Sequence, residues 1–570
     1  MRFSRRYTVA GLGPFEGIAV RTARAECGAL ESPAAVSVAV PAHWSQVAVD
    51  LLAQRALHLH GVPARLRRIE EPGLPPWLWR SAADPEALAA LPAEDRTGGE
   101  TSALQLFARL AGAWTYWGWK SGVFDSEADA RTFHDEIAYM LAMQMAAPDV
   151  AQWQETGLYW AYGIESPPAG YGLDPRTGDA RALTGPGERP DALSLRIDAP
   201  PRDAGQVLAG ALEAFDCTGI DADLMSLLRL AGATHAPAAD GFALRRPTRL
   251  LALGLDHPQA DAFIHANAQD QRTLATLATG ARVLERHLNA VLAAAADGVD
   301  PVDNPGLRAA IRTARADGVP DGTLRQTLDQ ARAGVSRIEI PAPQLDWDSG
   351  AWSALADTRL LARVPDAAPA QRSDSWSSLA SAIWSSSGPS LMFADTVNGW
   401  NTCPQLGDVT ASSLDGALLF PGPVSCPAAS LNLMAFTLAD GATDVDSLMH
   451  AVRLWAVALD IVVTATQYPS AELAQAAWRA RPLGLGFANL GSLLLARGIG
   501  YDSPAARALA GSLAALITGS AYAASAELAA ELGPCPAFTQ DMLRVVRNHR
   551  RAAYGLTDGY EALATPPAPL

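Results

Sequence analysis

The middle of the chain limits its fold most. Short apolar runs, LSLRID (193–198) and LLALGLDHP (250–258), alternate there with stretches of helical period, AGQVLAGALEAF (204–215) and DLMSLLRLAGA (223–233). Few architectures accept such alternation other than helices laid on a mostly parallel sheet, so this body is of the α/β class. Helical segments follow at 270–298 and 305–335, then SRIEIP (336–341) as a further strand. A Ser/Pro-rich loop at 365–390 leads into SLMFADTVN (390–398), expected to hold a buried strand. Three helices, at 444–466, 486–497 and 504–531, close the pattern.

The region before this body reads differently. Residues 1–165 are rich in Trp and carry mostly helical period. SEADARTFHDEIAYMLAMQM (126–145) opens with Ser126 as N-cap and Asp129 at the capping-box position, and Phe133, Ile137, Met140 and Leu141 share a face. The aromatic runs PPWLWR and AWTYWGWKSG read as core packing. A Pro/Gly-rich stretch, 166–192, marks the boundary, so the expected units are 1–165, the loop 166–192, 193–394 and 395–570.

Composition removes several classes of function. A formal net charge of −16 repels phosphate backbones and argues against nucleic acid as a partner. Five cysteines form no CxxC pair and, being odd in number, suggest no disulfide framework. No signal peptide is recognisable, so the expected compartment is the cytoplasm. The segment 508–526 is about membrane length, but Ala, Gly and Ser dominate it between Arg507 and Glu527, and it reads as a buried helix with no membrane involved.

Lys120 is the sole lysine, and Trp119 stands where a Walker A loop needs glycine, so there is no P-loop. Any Schiff-base chemistry would have to use Lys120 itself. GLGPFEG (11–17) misses the dinucleotide fingerprint at Glu16, and GLGFANLG (484–491) reads as close backbone packing. HDE (134–136) reads as a solvated helix face, and no zinc pattern is present.

Several long, collinear stretches nevertheless point one way. They include VPAHWSQVAVDLLAQRALHLHGVPARL (40–66), ETSALQLFARLAGAWTYWGWKSGVFDSEADAR (100–131), TGLYWAYGI (156–164), DTVNGWNTCP (395–404) and ASLNL (429–433). HAVRLWAVALDIVVTATQYPS (450–470), RPLGLGFANLGSLLLARGIGYDS (481–503) and MLRVVRNHRRAAYG (542–555) continue the match, with shorter patches such as LDWDSGAW (345–352) between. Through them the chain resembles the adenosylcobalamin-dependent (class II) ribonucleotide reductases. The resemblance implies a helical N-terminal domain followed by a ten-stranded α/β barrel of two half-barrels. Here 193–394 would be a divergent first half, and 395–570 the central loop and the start of the second, leaving the barrel incomplete.

The resemblance also implies a chemistry. In the family a cysteine on the central loop becomes a thiyl radical, a Glu acts as base, an Asn orients the ribose and two further cysteines supply electrons; adenosylcobalamin supplies the radical. The family motif Asn-Pro-Cys-x-Glu, counted back without a gap from AASLNL, falls on Ser413 for the Asn, Asp415 for the radical cysteine and Ala417 for the Glu. Cys426 matches one reducing cysteine, and Leu193 stands where the other is expected.

Further departures fall at Pro148, Asp149, Val150 and Ala151 for a Pro-Asn-Ser-Pro loop, at TGIDADLMS and at ADTRLLARV. The chain also ends, near YEALATPPAPL, before the family's phosphate loop, last strands and cysteine-bearing tail. The expectation is therefore a truncated, non-catalytic paralogue, a homo-oligomer or a partner of a full-length reductase, with cobalamin retention open. Two alternatives stand beside it: a repurposed enzyme or nucleotide-binding protein using Asp415 and Cys403 or Cys426, and a reductase completed by another chain.

Overall fold

The computed structural model describes residues 1–27, 34–165, 170–184, 189–190, 193–208, 212–220, 223–224, 226–228, 249–341, 355, 358–367, 373–554 and 556. Residues 166–169, 185–188 and 191–192 of the expected loop, part of the helix expected at 223–233 and the stretch LDWDSGAW lie outside the described residues; the rest of that loop contains an antiparallel hairpin, Tyr171–Leu173 with Ala180–Ala182.

The N-terminal region is less helical than its composition suggests. It holds an antiparallel hairpin, β1 (Val20–Cys27) and β2 (Ala34–Pro41), with Val20 opposite Pro41. The alternation in AAVSVAVP carries it: Val38 and Val40 are buried on one face against Ala23 and Ala25. The expected helices follow as α1 (Ala103–Lys120) and α2 (Glu127–Ala142). Ser126 caps α2, accepting from the Asp129 N–H at 3.2 Å, and Phe133, Ile137 and Met140 are fully buried. A short strand, β3 (Ala146–Pro148), leads away from α2.

Four parallel strands form the α/β body. After β4 (Leu195–Ile197) come β5 (Ala214–Asp216), β6 (Arg249–Gly254), the long helix α3 (Ala260–Ala295), α4 (Pro305–Ala316), α5 (Asp321–Arg332), β7 (Thr358–Val364) and β8 (Ser390–Phe393). The sheet order is β5-β6-β7-β8, all parallel. Strand period 2 divides its faces. Phe215, Leu251, Leu253 and Leu360 pack with Phe263 and Ala266 of α3, while Ala214, Leu250, Ala252, Leu361 and Met392 face the loop that follows.

The remaining elements are β9 (Val424–Cys426), antiparallel to β4, and β10 (Ala428–Asn432), flanked by β3 and by β11 (Gly484–Ala488). Helix α6 (Val445–Ala465) runs through the core, and α7 (Leu490–Ala496), α8 (Pro504–Leu532) and α9 (Gln540–Ala553) complete the chain. Trp114 of α1 meets Trp455 of α6 edge to face at 5.6 Å, so the aromatic run does pack the core. Among the described residues the strands stay in separate sheets and close no barrel.

Several expected elements take another form. SRIEIP pairs with no strand among the described residues; instead Asn289 of α3 bonds both the N–H and the C=O of Ile338, at 2.9 and 2.8 Å. Its polar backbone is thus satisfied by a helix side chain rather than a ladder. Of the helix expected over 204–215, Ala204–Leu208 is helical among the described residues, whereas Ala214–Asp216 is strand β5, paired along Leu250–Ala252. SLMFADTVN is strand only to Phe393, an edge strand of mixed exposure, and then turns helical.

GLGFA is strand β11, not the start of a helix. Gly484 lies so close to β10 that a Cβ there would sit 3.1 Å from the Ala428 Cβ, which is the close packing its glycines suggest. Among the described residues two helices, α6 and α8, are long and apolar enough to cross a membrane; 83% of the most apolar window of α6 is buried, but only 28% of that of α8. The segment 508–526 is therefore buried on one face only.

HDE also differs from expectation. The Glu136 side chain is fully buried and accepts from Thr8 Oγ1 (2.6 Å) and the N–H groups of Tyr7 and Thr8, while His450 Nε2 lies 2.9 Å from its other oxygen. Its place three residues after Phe133, on the apolar face of α2, was the available signal. Burial pushes this carboxyl up, but the bonds from His450, Thr8 and the backbone outweigh it, holding Glu136 below the ordinary value of 4.5.

A depressed acid pKa stabilises the fold above the unfolded value, and that stabilisation disappears as pH falls through the folded one. Glu136→Gln should therefore be less stable than the parent at pH 7, with the gap narrowing below about pH 4.5. Urea unfolding at stepped pH reads this directly; a gap independent of pH would show that the carboxylate is not held.

Candidate functional site

The central loop is built as a closed hairpin. Ser412 bridges Leu419, Ser413 N–H donates to Leu418 O at 3.0 Å, and Gly416 N–H returns to Ser413 O at 2.9 Å. Gly416 has φ +76°, the left-handed conformation that favours glycine. Ser413 Oγ donates to Asp415 Oδ1 at 2.7 Å and accepts from Leu418 N–H at 3.0 Å. Asp415 Oδ1 also accepts from Ala417 N–H at 3.0 Å. The polar side chains at two of the singled-out positions thus serve the turn itself, in the manner of an Asx-turn. Ser413 is buried, whereas Asp415 and Ala417 are exposed.

The apolar residues of this hairpin fill the space beside the sheet. Leu418, with Leu414 and Phe420, packs in the cluster containing Leu250, Ala252, Leu361 and Met392. Two arginines from the same face of β7 hold the backbone: Arg359 donates to Leu414 O at 2.8 Å, and Arg363 to Thr410 O at 3.4 Å. Arg363 is itself paired with Asp216 at 2.7 Å and bonded to Thr218 Oγ1 at 3.1 Å. Because Arg359, Leu361 and Arg363 alternate on one strand, RLLAR contained this signal, yet it passes unread without the hairpin as context.

Cys426 lies on β9, fully buried, and burial first, then the charge of Asp415, pushes its thiol up to about 12. It is protonated at neutral pH and so is not a thiolate nucleophile there. The register places Leu195 directly across from it. Leu193, two residues earlier, packs instead with the cluster of Leu173 and Tyr468. Neither Leu193 nor Leu195 carries a thiol, and the cysteines at 217, 403, 426 and 535 are all unbridged.

The segment Pro148–Ala151 ends β3 and begins a short helix, with Asp149 N–H donating to Ala428 O at 2.9 Å. Asn432 of ASLNL is a structural pin. Its amide donates to Gln144 O at 2.9 Å, and its oxygen accepts from Asn489 at 2.8 Å. Both partners adopt left-handed backbone, φ 53° and 68°, so Asn432 helps to hold two strained residues at the ends of β3 and β11. Lys120 is engaged by aromatics, with Nζ 3.0 Å from Tyr116 Oη and over the Tyr116 and Trp117 rings. Among the described residues no three His, Cys, Asp or Glu side chains gather as a metal site.

Comparison with known families finds two matches. Residues 364–556 match the ribonucleotide reductase barrel domain, and residues 33–144 match the class II vitamin B12-dependent ribonucleotide reductases. The vitamin B12-dependent ribonucleotide reductase of Bradyrhizobium diazoefficiens is 37% identical over 100% of this chain and 51% of its own length. That of Agrobacterium fabrum is also 37% identical, over 100% and 50%. A more distant relative from Rhodopirellula baltica is 25% identical over 80% and 43%. The chain thus spans about half the length of the curated relatives it matches.

Proposed function

The chain belongs to the vitamin B12-dependent ribonucleotide reductase family, and on that premise we propose that it performs no reductase turnover itself and acts by associating with a full-length reductase. The observation that carries this reading is the central hairpin. Ser413 and Asp415 spend their side chains on the turn, and Leu414, Leu418 and Phe420 occupy the face of the sheet beside it. In the family, adenosylcobalamin supplies a radical that a loop thiol receives. Asp415 stands at the receiving position, and a carboxyl O–H does not match that task, so no step through the cofactor is assigned to this chain. Buried, protonated Cys426 gives no support to a repurposed nucleophile.

Association is favoured by the surfaces left uncovered. Strands β8 and β11 stand at sheet edges among the described residues, and an open edge is a template for another chain. The outer side of α8 adds an apolar face. The test mixes the purified chain with a full-length vitamin B12-dependent reductase from the same cells and follows both by size-exclusion chromatography. Co-elution in a complex larger than either component is the expected result. Separate elution at tens of micromolar, well above a micromolar Kd of about −8 kcal/mol, would overturn the proposal.

A further inference from the structure

Two cysteines outside the hairpin occupy equivalent places in two reverse turns. Cys403 O accepts from Leu406 N–H at 2.9 Å with Pro404 next in the chain, and Cys535 O accepts from Phe538 N–H at 2.9 Å with Pro536 next. Gln405 joins the two turns. Its amide donates to Ala537 O at 2.7 Å and also reaches the Cys403 thiol. Cys403 is fully buried and Cys535 half-buried. Burial first, and then the charge of Cys403, raises the Cys535 thiol. Burial likewise raises Cys403 against hydrogen bonds from Thr402 and Gln405. No part of the proposed function uses either residue.

We propose that Cys403 and Cys535 form a reversible dithiol–disulfide pair that fastens the base of the central loop to the linker between α8 and α9. The oxidant is a hydroperoxide. The thiolate of half-exposed Cys535 attacks its terminal oxygen, giving a sulfenic acid and, from hydrogen peroxide, hydroxide that is protonated to water. The Cys403 sulfur then attacks the sulfenic sulfur; the S–S bond forms, and the S–O bond breaks with loss of a second water. Two thiols and one peroxide thus yield one disulfide and two waters, and a dithiol reductant returns both thiols. With both thiols protonated at neutral pH, formation is slow there and accelerates with rising pH, about tenfold per unit while the attacking thiol stays below its pKa.

The test exposes the full-length chain to hydrogen peroxide at stepped pH, blocks free thiols with N-ethylmaleimide in denaturant, and digests without reductant for mass spectrometry. A linked peptide joining residues 403 and 535, loss of two alkylatable thiols and reversal by dithiothreitol are expected. Cys535→Ser should leave Cys403 alkylatable after the same treatment, with the alkylation of Cys217 and Cys426 unchanged. Because the link is read in the parent protein, the result does not depend on the variant folding. Over-oxidation of Cys535 to sulfinic acid with Cys403 still alkylatable would overturn the proposal. So would a bridge from either thiol to Cys217 or Cys426.

Discussion

Arg109→Met should lower the stability of the N-terminal region by about 3–5 kcal/mol, the cost of leaving one member of a buried ion pair without its partner. Arg109 and Glu100 have no exposed side-chain surface and meet at 2.7 Å. Arg109 also donates to the carbonyls of Thr156 and Trp153, so one guanidinium ties α1 to the segment after β3. Glu100 accepts from Tyr162 Oη at 2.8 Å and from His58 N–H at 2.8 Å. Removing Arg109 leaves the carboxylate with only the Tyr162 hydroxyl and the His58 N–H, and frees the carbonyls of Thr156, Trp153 and Ala56. Adding Glu100→Gln should recover part of the loss, because a neutral amide is cheaper to bury than a lone charge. Urea unfolding of the parent, the single and the double variant reads both effects. A single-variant loss below about 1 kcal/mol, the range of exposed pairs, would mean that water reaches the site.

That pair shows where sequence patterns stop short. Period and capping locate α1 and α2, and Ser126 caps as its spacing predicts. Neither says that Glu100 and Arg109 are buried, since burial of a charge depends on partners distant in the chain, such as Thr156 and Tyr162. The parallel sheet was legible because LLALGLD and its neighbours are apolar on both faces. SRIEIP has equal strand character and no strand partner, and only the three-dimensional place of Asn289 decides that. At the candidate site, the residue types at 413, 415 and 417 were readable from the resemblance alone. The pairing of Cys426 with Leu195 rather than Leu193 was not, because register belongs to the strand pair and a two-residue offset leaves the pattern of faces unchanged.

The combined variant Ser413→Asn, Asp415→Cys, Ala417→Glu should still form no deoxyribonucleotide above a protein-free control when given adenosylcobalamin, a dithiol and a ribonucleotide. It restores the three residue types of the family loop, so a site disabled by these substitutions alone would recover turnover. Two other features block that recovery. Leu195 lies across from Cys426, and Leu193 stands where the resemblance implies the other reducing cysteine, so on that resemblance the pair of thiols would have only one member. The face of the sheet beside the hairpin is packed by Leu414, Leu418 and Phe420, and Arg359 of β7 holds the Leu414 carbonyl. The variant also removes the Ser413 and Asp415 side-chain bonds that close the hairpin, each contributing about 0.5–1.5 kcal/mol, so it should melt below the parent. The missing rate enhancement is the whole of what an enzyme supplies, at least about 10⁶-fold, which makes the assay a decision rather than a matter of degree. Turnover in the variant would mean that the hairpin opens and a thiol reaches Cys426 from elsewhere in the chain. Turnover in the parent, with no other polypeptide present, would overturn the reading that this chain performs no reductase turnover.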